Sequence, residues 1–148
     1  MANITTNQAK TNFVSGSLIW TTDDIRVGLL SGASVPAGAL NPDLNDVAGL
    51  LAVSGVVECA ATNYARKTTS SRTATKDVAN DRANLTFANL TWASLGGAVN
   101  ETIRALFVYK EGASDAARTL ISVHEMTPTP TNGGDFSVNT PNDVLRLA

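Results

Sequence analysis

Residues 84–92 read NLTFANLTW. Leu85 and Phe87 lie two apart, so in a strand they share one face. Leu90 and Trp92 repeat the relation. The two pairs are offset by an odd number of positions, so a straight strand would send them to opposite faces. A bend at Ala88-Asn89 restores a common side. The stretch therefore predicts two short strands joined by a kink. Each supplies two apolar side chains to one core, with Thr86 and Thr91 turned outward. The same stretch carries two N-x-T sequons, and Asn3 and Asn100 head two more. In a chain this rich in Asn and Thr, spaced as the strand pattern requires, they read as sheet rather than as glycosylation acceptors.

Working outward, DIRVGLL at residues 24–30 alternates Ile25, Val27 and Leu29 with Arg26, Gly28 and Leu30, bounded by Asp23-Asp24 and Ser31-Gly32 turn signals. TIRALFVYK, residues 102–110, and the return RTLISVHEM predict an antiparallel hairpin around EGASDAA. The spacing of Ile103, Phe107 and Ile121, with Ile25, Val27, Phe87 and Trp92, nominates them for the core. TPTPTNGG reads as a loop, and DFSVNT and DVLRLA as two closing strands. In the long segment after Ser31, Asn41-Pro42-Asp43 predicts an N-cap and a helix from Pro42 to about Val47, ended by Gly49. VVECA is a further strand candidate. Six to eight short strands with one short helix give an all-β, mainly antiparallel fold, a β-sandwich or barrel-like single domain.

The chain has 148 residues, enough for one domain with its own core. Its net charge of −2 carries no bias toward nucleic acid or a membrane surface. No run of 18 apolar residues occurs, and the polar start MANITTNQAKTNF lacks the pattern of a cleaved signal. A single cysteine, Cys59, excludes an internal disulfide, and with His124 as the one histidine a zinc site of ordinary composition is not expected. Cys59 in GVVECAA reads as a small buried hydrophobe. The alternative, a Cys59–His124 dyad, has no supporting motif. Phosphate-binding glycine patterns and the G-x-S-x-G elbow are missing from the sequence. Asp43–Asp46 and Asp77–Asp81 are too short for a calcium loop. These observations predict no catalytic residues, no cofactor and no metal, and a binding or structural role.

Two polar stretches remain. Residues 63–82 hold Arg66, Lys67, Arg72, Lys76 and Arg82, five of the chain's 11 Lys and Arg. They read as an extended surface that is either simply solvated or a docking site for an acidic partner. Residues 1–12 have only Ile4 as a sizeable apolar side chain. They read as an extended N-terminal arm preceding a β domain at 13–148.

The order of segments resembles a group of small tailed-bacteriophage virion proteins, the head decoration or cement proteins. The resemblance runs from KTNFVSGSLIW through TTDDIRVGLLSG, VVECAATNYARKT, DRANLTFANLTWASLGG, IRALFVYKEG and TLISVHE to TNGGDFSVNTPNDVLRL. The chain departs from it at Asn63-Tyr64, where relatives often carry Gly before Tyr, and in the apolar LLAVSGVV. The resemblance implies a β protein without an active site that binds the outer capsid surface and bridges neighbouring subunits of the major capsid protein. It also implies a homo-oligomer such as a trimer, made in the host cytoplasm and carried on the virion. On that reading the candidate capsid contacts are Arg66, Lys67, Arg72, Lys76 and Arg82, with Ile4 and Lys10 from the arm. A tail-tip or head-fibre β-sandwich protein and a carbohydrate-binding module are the alternatives.

Overall fold

A computed structural model of the chain describes residues 1–80, 82–139 and 145–147, the last three by their backbone. In chain order the elements are β1 (Asn3–Thr5), α1 (Asn7–Ser15), β2 (Ile25–Ser31), α2 (Val47–Leu51), β3 (Val57–Glu58), β4 (Lys67–Thr68), β5 (Thr73–Asp77) and β6 (Arg82–Thr86). They continue with β7 (Leu90–Trp92), β8 (Thr102–Lys110), β9 (Leu120–Pro130), β10 (Phe136–Val138) and β11 (Leu145–Leu147). The fold is all-β and antiparallel, as the alternating patterns predict. Its centre is a six-stranded sheet in the order β1-β9-β8-β2-β3, with β4 also on β2. The predicted hairpin is β8–β9, and both faces of β8 are buried.

Each face of this sheet carries its own core. On one, Ile25, Val27, Leu29, Leu106, Val108 and Ile121 pack against Trp20, Leu85, Phe87, Leu90, Trp92, Leu95, Phe136 and Val138. That cover is made of two small sheets, β10-β7 and β11-β6-β5. On the other face, Leu30, Ala105, Phe107, Tyr109, Leu120 and Val123 pack under the segment between β2 and β3, through Ala39, Val47 and Leu50. The bend in NLTFANLTW separates β6 from β7, and the two strands join different small sheets. Leu85, Phe87, Leu90 and Trp92 are all buried in one cluster. All seven nominated core residues are buried.

Three local expectations differ from the structure. Residues 1–12 are not an extended arm. β1 pairs with Ser122–His124 of β9, and α1 starts at Thr6, whose hydroxyl oxygen accepts from Ala9 N–H and whose hydroxyl donates to the Leu120 carbonyl. Thr6 and Ala9 are fully buried. The arm finds its burial in β9, more than a hundred residues away, which local composition does not reveal. The helix expected at Pro42–Val47 is displaced to α2. The Pro42 carbonyl, which such a helix would use internally, accepts from Asn7 N–H at 2.8 Å. Asn41 caps only a turn, its Oδ1 accepting from Asp43 N–H. Asp46 becomes the N-cap, accepting from Gly49 N–H at 2.7 Å. TPTP, expected in a loop, is the end of β9. There β9 runs past β1, so the prolines' missing N–H groups cost no ladder bond on that edge. DFSVNT and DVLRLA contain β10 and β11, but residues 140–144 and 148 lie outside the described residues.

Candidate docking surface

The basic stretch is built into the protein more than it is offered to a partner. Arg66 is the clearest case. Its guanidinium lies 5.4 Å from the Phe107 ring centroid and 5.3 Å from that of Tyr109. It bonds both oxygens of Glu58 and both oxygens of Asp115. Such bidentate pairs on an aromatic shelf use the planar fork that lysine lacks. The bond from Arg66 holds Asp115 below the usual carboxylate range, with Arg118 adding to it. Arg118 also binds Glu111, whose other side faces Arg26. Burial pushes the Glu111 carboxyl up, but the Gly112 N–H, Arg118 and Arg26 outweigh it and its pKa falls. The result is a continuous chain of charge from Arg26 through Glu111, Arg118, Asp115 and Arg66 to Glu58. It lies across the part of the second face holding Phe107 and Tyr109. The same turn tethers α2, since Val47 N–H and Ala48 N–H donate to the carbonyls of Arg118 and Asp115.

Tyr64 joins this chain from the first face. Its hydroxyl donates to Glu58 and accepts from Leu29 N–H at 3.0 Å. β3 and β4 leave a gap along the edge of β2, and this hydroxyl fills it. Burial, reinforced by Glu58, raises the phenol's pKa. Arg72 is also held inward, donating to the carbonyls of Trp20, Thr69 and Thr21. Arg82 pairs with Asp77 at 2.8 Å. Lys67 lies 5.8 Å from the Trp92 ring centroid. Of the five cations, Lys76 alone has no hydrogen-bond, ion-pair or ring partner among the described residues. It stands on β5, which is exposed along nearly its whole length.

The two N-terminal candidates are divided. Ile4 is half-buried against the second core. Lys10 is exposed on α1 and lines a shallow depression with Thr11, Val14 and Ser15. Val14 is 91% exposed, the most exposed of the large hydrophobics among the described residues. Sequence reading missed this helix face. The available signal was Thr6 and Gly16, an N-cap and a left-handed C-cap with nine residues between them, with Gly16 at φ 75°.

Cys59 and His124 are held apart. Cys59 N–H bonds the Leu29 carbonyl, Leu29 faces Leu106, and Leu106 faces His124. The two residues thus share one cross-strand row but stand three strand spacings apart, about 14 Å. Burial pushes the Cys59 thiol up to about 11 and His124 down to about 4. Among the described residues no group of three His, Cys, Asp or Glu side chains could hold a metal ion. No helix among them is long and apolar enough to cross a membrane. Asp81 of the Asp77–Asp81 stretch lies outside the described residues, and Asp77 itself is engaged by Asn80, Arg82 and Asn84. Trp20 and Trp92 are 3% and 1% exposed and donate their indole N–H groups to the carbonyls of Thr86 and Ala65. They form no platform for a sugar ring. No protein family, curated protein or solved structure matches the chain.

Proposed function

We propose that this protein is a bacteriophage virion structural protein that binds the outside of the capsid and stabilises the head, with the major capsid protein as partner. The observation that carries the reading is the outer face of α1. It presents a fully exposed Val14 beside Lys10, a cation with no partner among the described residues, on a helix locked to β9. A rigid apolar spot rimmed by an unpaired charge suits docking on a large protein surface better than solvent alone. The segment order that resembles decoration proteins points the same way. A protein that binds only the assembled shell stabilises it by mass action. The buried tryptophans remove support from the carbohydrate-binding alternative.

The test is binding of purified protein to capsids that lack it, together with its copy number per virion. Hundreds of copies on the head support the reading, and a handful at the tail overturns it. Val14→Asp with Lys10→Glu should lower capsid affinity at least about tenfold while leaving the melting temperature within about 2 °C, since both sites are exposed. Undiminished binding by that variant removes α1 from the interface.

A further inference from the structure

We infer that two copies of this chain associate by antiparallel pairing of the free edge of β5 across a two-fold axis centred on Thr75. The inference is independent of the capsid reading. β5 is the last strand of its small sheet, and its other edge meets no strand among the described residues. Thr73, Ala74, Thr75 and Lys76 are exposed, so both sides of the strand face solvent. The edge contains no proline and pairs with β6 residue for residue without a bulge. Those are the usual devices that blunt an open edge, and here only Lys76 serves.

The sequence TATKD is complementary to itself about Thr75. Thr75 meets the partner copy's equivalent threonine, a favourable cross-strand pair. Lys76 stands opposite the small Ala74, and Asp77 opposite the hydroxyl of Thr73. No like charges face each other directly. The two lysines lie on a diagonal of about 8 Å. The flanks match as well. Val78, 70% exposed, lies beyond one end of β5. At the other end Arg72 grips the Trp20 and Thr21 carbonyls and fixes the turn that carries Ile19, 51% exposed. A two-fold through Thr75 brings the Val78 end of each copy to the Ile19 end of the other. A strand from an unrelated protein could use the backbone edge, but it would not match both ends at once. The pairing would join two three-stranded sheets into one of six strands and yields even-numbered assemblies rather than a trimer.

The experiment uses the full chain. In a Cys59→Ser background, Thr75→Cys should give a disulfide-linked dimer under mild oxidation, because the two sulfurs meet on the axis. Sedimentation velocity should show a concentration-dependent dimer for the wild type. Ala74→Lys places a positive charge opposite the partner's Lys76 twice per dimer and should weaken association about tenfold, whereas Ala74→Glu should strengthen it. A chain that stays monomeric into the hundred-micromolar range, forms a trimer, or forms a dimer indifferent to charge at position 74 overturns the inference.

Discussion

At the residue scale, Phe107 carries the second face. Gly28 lies opposite it on β2, and a Cβ there would collide with the Phe107 ring. The ring fills the space that the glycine leaves, stacks on Tyr109 at 5.7 Å between centroids, and supports the Arg66 guanidinium. Phe107→Ala should lower unfolding free energy by about 3–5 kcal/mol, measured by denaturant titration. A variant as stable as wild type would show that the ring is not holding this layer. His124 gives a separate signature. Its pKa of about 4 in the folded chain lies below its ordinary value of 6.5, because burial disfavours the cation. Below pH 6.5 the unfolded chain binds a proton that the folded chain refuses. Stability is thus full above that pH and falls as pH drops toward 4, by up to about 3 kcal/mol. The depressed carboxyls of Asp115, Glu111 and Asp23 act lower, losing their contribution as pH falls through values below the usual carboxylate range. His124→Gln should flatten the stability profile between pH 6.5 and 4.5. An unchanged slope would assign it to other groups.

At the element scale, β1 and α1 act as one unit held by Thr6. Thr6→Ala removes a cap and a buried bond to the Leu120 carbonyl and should cost about 1–2 kcal/mol. Deleting residues 2–12 should lower the melting temperature by at least about 5 °C, since it strips β9 of a neighbour and α1 of its start. A truncated chain that melts like the full one would mean that these elements rest on the domain without supporting it. β2, β6, β7 and the β8–β9 hairpin were legible from their apolar alternation, whereas β1 and the TPTP end of β9 were not. Leu85, Phe87, Leu90 and Trp92 revealed even the kink, since an odd offset between apolar pairs has few solutions. α1 was not legible, because Asn, Gln and Thr give it no apolar stripe and its partner lies far along the chain. Asn63 shows a local rule at work. Its φ of 66° is left-handed, where glycine is at home and asparagine is the next choice, so Asn63 suits the turn before Tyr64. The pairing within the basic stretch was not legible, because charge composition does not disclose partners. Glu58 and Asp115, which bind Arg66, are separated from it by 8 and 49 residues, and the latter distance hides the match.

At the scale of the whole molecule, one sheet holds two cores, and its first-made strand depends on its last long one. Thr5 pairs with Ser122, so synthesis must run 117 residues on from Thr5 before the pair can form. At roughly 5–20 residues per second on a ribosome, that is an interval of roughly 6–23 s. Through it the β1 segment has no strand to join and Thr6 has no carbonyl from Leu120 to bind. The helix that carries Lys10 and Val14 to the surface therefore gains its support only once Leu120 and the β9 residues beyond it have been made. On the proposed reading, a chain interrupted before Leu120 lacks the support for α1 and with it the face proposed to dock.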